Sequence, residues 1–292
     1  MDIGQFGLWQ PAHVTTPEMA EKIEQLGYSA VWLGGPDVDL SGIDDLLAAT
    51  RRLVVGTSIY NVYNGDALRL AEAYERIERK FPGRLLIGMG VGHPEQTVGY
   101  GTPMAAMRSF LDELDIYLLP RDRRALAALG PKMMQLAHDR TGGAVPYLVT
   151  AEHTHRARAA LGPRKFLAPE HKVVLTTDAA HARDLARPRI KHPYLGLVNY
   201  RNNLRRLGFT DDDLAENGSD RLIDALALHG TPADVVRGLR AHLHAGADHV
   251  QIQVIGEQAT PFEAMPDVLL QVYDDAIFRT YETLADALEI LP

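Results

Sequence analysis

The chain contains no cysteine in its 292 residues. Disulfides, thiolate metal sites, iron–sulfur clusters and a cysteine nucleophile are therefore excluded. Nor does any run approach the eighteen or so apolar residues of a membrane span, so no membrane partner is expected. Charge of the basic sign is short: 30 Lys and Arg stand against 38 Asp and Glu, a net −8. That balance argues against nucleic acid as a partner. The basic clusters Arg121–Arg124 and Arg201–Arg206 read as solvated faces. The opening MDIGQFGLWQP has no basic segment followed by an apolar one, and a cytoplasmic location is expected. Also missing are a nucleophile elbow, a phosphate-binding P-loop, an HExxH run, the paired acids of a glycosidase and the clustered carboxylates of a divalent-metal site. No metal site is expected.

What is present is a repeated alternation of apolar runs and helical stripes. Its clearest unit runs from Leu53 to His93. Leu53–Ile59 and Leu85–Met89 are short aliphatic runs suited to strands covered on both faces. Between them Ala67, Leu70, Ala71, Tyr74 and Ile77 recur at helical spacing. A crossover helix makes the two strands parallel and puts their carboxyl ends at one edge. Six further strands are read at 2–9, 30–33, 124–129, 144–149, 172–176 and 249–254. Thr16-Pro17 and Thr231-Pro232 read as helix starts. The segment 179–230 reads as mostly helical, and 262–288 as closing helices. Eight strands alternating with helices, about one unit per 35 residues, are the count of a (β/α)8 barrel of ~250 residues. The fold class expected is thus α/β, a single TIM-barrel domain over 1–292 with a helical excursion near 180–230. A doubly wound open sheet is the alternative.

Active sites of such barrels lie on the loops that follow the strands. Those loops carry Trp9, Gln10 and His13; Gly34 and Asp37; Ser58, Tyr60 and Asn61; Gly90, Gly92 and His93; Gly130; Glu152 and His153; Thr176 and Thr177; and Gln253. Glycine-lined space with neutral donors suits a flat, polar, bulky cofactor better than a metal. Gly88-x-Gly90-x-Gly92 does not meet the dinucleotide spacing, because position 93 is His. It reads either as backbone allowed to approach a ring system closely or as a plain glycine-rich turn. Gly130-Pro131 either simply starts a helix or offers free N–H groups to a phosphate. His13 and His93 are acid/base candidates, since imidazole titrates near neutrality. The pairs His153/His155 and His242/His244 sit at i, i+2, which share no helical face, and read as exposed and unliganded. Gln251 and Gln253 read as satisfied barrel positions, Gln253 also as a weaker substrate contact.

GTSIYN, FPGRLLIGMGVGH, LAALGPKMMQLA and AGADHVQIQV, taken in order, resemble the bacterial luciferase-like monooxygenase superfamily. Within it the chain looks like the actinobacterial branch that uses the deazaflavin coenzyme F420. The resemblance implies a barrel whose third strand ends in a non-proline cis peptide under the central ring of the cofactor, here Ser58–Ile59. It implies that Gly90, Val91 and Gly92 line the same cofactor, and that Ala128, Leu129 and Gly130 approach its tail. It further implies a homodimer and a small-molecule substrate. Gly34-Gly35 stands where sugar-phosphate and alcohol dehydrogenases of this branch carry an acidic pair, and His93 where they carry an acid. Those substrates are therefore not indicated, and His93 becomes the leading proton donor or acceptor, with His13 behind it. The function implied is hydride transfer between the deazaflavin C5 and a small organic substrate. The alternatives are an FMN-dependent monooxygenase of the same fold and a non-catalytic deazaflavin-binding protein.

Overall fold

Buried aliphatic runs become parallel strands in this chain because helices cover one face of each and a filled barrel covers the other. In a computed structural model, residues 3–92, 102–257, 259–262, 265–271 and 273–292 are described, the two short spans 259–262 and 265–271 by backbone alone. The first half comprises β1 (Phe6–Pro11), α1 (Pro17–Gln25), β2 (Ala30–Gly34), α2 (Ile43–Ala49), β3 (Val54–Thr57), β4 (Tyr60–Asn61), α3 (Ala67–Lys80), β5 (Leu85–Gly90) and α4 (Pro103–Ile116). There follow β6 (Arg124–Leu126), α5 (Pro131–Arg140), β7 (Gly143–Ala144), α6 (Ala151–Leu161), β8 (Phe166–Leu167) and β9 (Glu170–Val174). The excursion is α7 (Ala179–Lys191), α8 (Val198–Arg206) and α9 (Asp220–Leu226). The chain ends with β10 (Ala227–His229), α10 (Pro232–His244), β11 (Val250–Val254), β12 (Ala259–Phe262), β13 (Met265–Gln271) and α11 (Asp275–Leu288).

All pairings in the large sheet are parallel, in the order β10-β9-β11-β1-β2-β3-β5-β6-β7-β8. The ring closes through the continuous stretch from β8 to β9. One of its edges meets β7 through Ala168 N to Ala144 O, and the other meets the β11 side through Gln251 N to Pro169 O. Eight strand positions result: β1, β2, β3, β5, β6, β7, β8–β9 and β11, with β10 an addition beside β9. Leu8, Val31, Leu33, Val55, Ile87 and Ile252 face outward into a core shared with the helices. Ala30, Trp32, Val54, Leu86, Ala125, Val145 and Ala168 fill the barrel itself. The expected helix starts are present: Thr16 caps α1, and Thr231 with Asp234 forms a capping box on α10.

Several expectations need correction. Residues 262–288 are not helical throughout, since β12 and β13 pair as an antiparallel hairpin before α11 begins. Pro261 and Pro266 sit badly in a helix interior and are tolerated on a two-stranded ribbon, where each strand has a free edge. The helical excursion ends in a strand, because Ala227–His229 pairs with Lys172–Val174. The strand expected at 172–176 starts earlier and is interrupted at Pro169. Arg124 is not solvated. It lies buried, with Nη1 on Asp115 Oδ1 at 2.7 Å and Nη2 donating to the Leu114 carbonyl at 3.0 Å. These contacts hold Asp115 well below the usual carboxylate range, Arg121 contributing first.

His153 and His242 are buried rather than exposed, while His155 and His244 remain at the surface. His242 Nδ1 pairs with Thr154 Oγ1 at 2.8 Å, and its Nε2 lies 2.9 Å from His171 Nδ1. His249 accepts from Trp32 Nε1 at 3.0 Å and sits against the Gly4 carbonyl. Burial lowers all four rings, His171 and His249 to about 4. The folded chain therefore keeps them neutral at a pH where the unfolded chain, titrating near 6.5, binds protons. Their contribution is complete above about pH 6.5 and is lost on acidification toward 4, at up to about 1.4 kcal/mol per pH unit for each ring. The thermal midpoint should fall steadily from pH 7 to pH 5; a flat midpoint by calorimetry across that window contradicts the account.

Candidate active site

The carboxyl edge of the barrel encloses a cavity of about 360 Å3. One wall is formed by Ser58, Ile59 and Asn61 after β3 and by Gly90, Val91 and Gly92 at and after the end of β5. Ala127 and Leu129 extend that wall. The aromatic part of the lining is Trp9 from β1, Tyr147 after β7, and Tyr194 and Tyr200 from the excursion. Gly34, Gly35 and Asn199 complete the lining, which holds no Asp, Glu, Lys, Arg or His among the described residues.

Local sequence explains this geometry. The Ser58–Ile59 peptide is cis, and its carbonyl side accepts from Trp9, Nε1 to Ser58 O being 3.1 Å. A Cβ at Gly34 would lie 2.2 Å from the Trp9 indole, so glycine there leaves space for the ring. Gly88 belongs to the strand contact: a Cβ would fall 2.1 Å from the Thr57 carbonyl oxygen, and Thr57 Oγ1 donates to Gly88 O at 2.7 Å. At Gly90 the added atom would meet side chains alone, Ile59 at 2.9 Å and the Ala127 Cβ at 3.4 Å. Gly92 has φ +59° and would crowd Asn61 at 2.5 Å. Ser58 Oγ is buried and has no hydrogen-bond partner.

Of the residues implicated by resemblance, Ser58, Ile59, Gly90, Val91, Gly92 and Leu129 meet at this cavity. Ala128 is fully buried between the two lining positions 127 and 129. Gly130 is the N-cap of α5, which has no side-chain cap, and Arg206 Nη2 would lie 3.6 Å from a Cβ placed there. His13 is exposed on the turn after β1 and is not part of the lining. His93 lies outside the described residues.

Sequence reasoning missed a polar network against the aromatic lining. Lys172 and Glu170 are buried, with Nζ to Oε1 at 3.0 Å. Lys172 Nζ also donates to Tyr147 Oη at 2.8 Å and to Gln253 Oε1 at 2.7 Å. Tyr147 Oη in turn donates to Gln253 Oε1 at 2.7 Å, and Glu170 Oε2 accepts from Leu148 N at 2.8 Å. Burial raises Glu170 and lowers Lys172, each opposed by the other's charge. Burial also pushes the Tyr147 phenol well up, so it stays protonated. A signal was available: in Glu170-His171-Lys172-Val173 the charged residues alternate at the period of a strand, which places both on one face.

Comparison with known proteins supports the same architecture. Residues 10–115 match the family model described as luciferase-like monooxygenase. The segment carrying β2, β3 and β5 thus agrees with the resemblance read from sequence. No curated protein matches the chain. An F420-dependent secondary alcohol dehydrogenase, solved with an F420–acetone adduct, is 11% identical over 100% of both chains, with a TM-score of 0.70. A coenzyme F420-dependent tetrahydromethanopterin reductase from Methanopyrus kandleri is 15% identical over 99% of each chain, also at 0.70. The oxygenating constituent of 3,6-diketocamphane monooxygenase from Pseudomonas putida, solved with FMN, is 14% identical over 98% of each chain, at 0.65. At these identities the likeness establishes the barrel fold, and both cofactor types occur among its neighbours.

The glycines separate by experiment. Gly88→Ala forces a Cβ onto backbone and should cost about 2 kcal/mol or more in urea unfolding. Gly90→Ala meets a side chain that can turn aside, and should cost less than half as much. Equal losses would mean that the two glycines serve the same purpose.

Proposed function

We propose that the chain is an oxidoreductase that binds the deazaflavin coenzyme F420 at the carboxyl edge of its barrel and reduces or oxidises a small organic substrate there. The observation that carries this reading is the chemistry of the lining: glycine at positions 90 and 92, four aromatic rings, and no charged side chain among the described residues. A flat tricyclic ring suits such a lining, and Ser58 Oγ, buried without a partner, is a polar atom in position to receive one of its heteroatoms. When bound, the deazaflavin supplies two-electron hydride chemistry at C5.

Ile59 and Val91 would support the ring, with Gly90 and Gly92 allowing close approach. Ala128, Leu129 and Gly130 lead away from it. The free N–H groups at the start of α5 and the Arg206 guanidinium beside Gly130 suit a phosphate in the cofactor tail. Tyr194, between α7 and α8, and Tyr200 of α8 would lie over the bound ring and keep water from it. His93 follows Gly92 in sequence and is the proposed proton relay, with His13 second. A homodimer is part of the same proposal.

FMN is the competing cofactor, and the two differ in a direct titration. Reduced or oxidised F420 should quench the fluorescence of Trp9 and raise the thermal midpoint, with FMN doing neither at equal concentration. The opposite pattern would sink the deazaflavin reading and favour a monooxygenase. With a substrate in hand, His93→Ala should lower turnover at least about tenfold while leaving cofactor affinity unchanged. Unchanged turnover would remove His93 from the relay.

A further inference from the structure

The hydrogen bonds around Lys172 allocate its protons completely. Three acceptors surround Nζ, namely Glu170 Oε1, Tyr147 Oη and Gln253 Oε1, and an ammonium has three hydrogens to give. Tyr147 therefore receives a cationic donor on its oxygen and keeps its own O–H for another acceptor. In the structure that acceptor is Gln253 Oε1, which Lys172 already satisfies. Tyr147 also shares a hydrogen bond with Tyr194, another residue of the lining, and Gln253 keeps its Lys172 donor when the phenolic proton goes to a cavity ligand. Tyr147 also lines the cavity, one aromatic ring away from the cis peptide, its ring 5.5 Å from that of Trp9.

We propose that Tyr147, in place of the His93 relay, donates a proton to the oxygen of an uncharged, flat substrate bearing a carbonyl group, and that Lys172, fixed by Glu170, positions and recharges it. The substrate class follows from the walls. Trp9, Tyr147, Tyr194 and Tyr200 offer stacking faces, Asn61 and Asn199 offer amides, and among the described residues no cation is present in the lining to meet a phosphate or carboxylate. Lys172 is not that cation, because its charge is already matched by Glu170. The proposal rests on the hydride chemistry proposed above. The carbonyl carbon gains a C–H bond from the hydride of the reduced deazaflavin, and the carbonyl π pair takes the Tyr147 proton to form O–H. The phenolate so formed recovers a proton from the Lys172 ammonium, and solvent returns that proton to the pair through Tyr147 once the product has left the cavity. An ammonium at hydrogen-bond distance favours the phenolate at that moment. In the resting site burial keeps the phenol protonated, as a donor must be, with Tyr194 and Glu170 acting in the same direction. The charged groups bearing on this pair are Glu170 on the same strand and Arg189 from α7, which lowers Lys172.

The test uses 4-nitrophenol, a flat probe whose oxygen, when ionised, mimics the carbonyl oxygen after hydride arrival. The bound dye is titrated through its visible phenolate band in wild type and in Tyr147→Phe, with thermal midpoints as a check of folding. Loss of the donor should raise the apparent pKa of the bound dye by about one unit, a tenfold fall in the phenolate-to-phenol ratio. Lys172→Met combined with Glu170→Gln leaves no uncompensated charge and should move the dye the same way; it carries the test if Tyr147→Phe fails to fold. Identical ionisation in wild type and Tyr147→Phe overturns the proposal. So does failure of wild type to bind the dye, or a shift that disappears in His93→Ala but survives in Tyr147→Phe. F420 titrated in parallel separates the two readings: no cofactor binding with the dye shift intact sinks the cofactor, and the reverse sinks Tyr147.

Discussion

The cavity exists because a tryptophan fills the barrel beneath it. Trp32 is fully buried, lies nearly parallel to Phe166 at 6.4 Å between centroids, and donates to His249. A closed ring of eight parallel strands has an interior just wide enough for side chains to fill. With Trp32, Phe166 and His249 packed together inside the barrel, the open space is confined to the carboxyl edge, beside Trp9 and Tyr147. Gly56 makes this possible, since a Cβ there would stand 2.3 Å from the Trp32 ring. The chain has two tryptophans, and both occupy the barrel interior, each against a glycine of the neighbouring strand. Trp9 and Trp32 are register partners on β1 and β2, and Trp9 is held by the Ser58 carbonyl.

Much of this architecture was legible because its physical causes are local. Strands covered on both faces need continuous aliphatic runs, and VVGT, LLIGMG and VQIQV supply them. Proline at the first helical position with Thr before it marked α1 and α10. The glycines at and after the end of β5 pointed to close approach, although sequence could not tell Gly88, which serves strand packing, from Gly90, which borders the cavity.

The remainder depended on burial, which residue type alone predicts poorly. Arg124 looked like one member of a basic surface run, yet its guanidinium reaches back to the end of α4. The hairpin at 259–271 contains apolar residues dense enough to suggest a helix, and only its prolines spoke against one. Lys172 and Glu170 were hidden for a related reason. Charged residues are rarely fully buried unless paired, and the pairing is visible only when the strand phase is known.

Two buried polar clusters remain, and their placement decides what each does. His153, Thr154, His171 and His242 lie between β9 and the helices α6 and α10, outside the barrel. Their contacts are to each other and to backbone carbonyls, including Leu129 O beside the start of α5. That cluster fixes the strand-to-helix connection that carries Gly130, and none of its four residues lines the carboxyl-edge cavity. The alternate residues of the same strand, Glu170 and Lys172, point the other way and end on Tyr147, which does border one. A single strand thus separates a neutral structural network on its outer face from a charged network on its inner face. Burying an ion pair is a weak route to stability, since desolvation offsets most of the attraction. An apolar pair would fill the inner face as well, so the retention of Lys172 and Glu170 there is better explained by the phenol they hold.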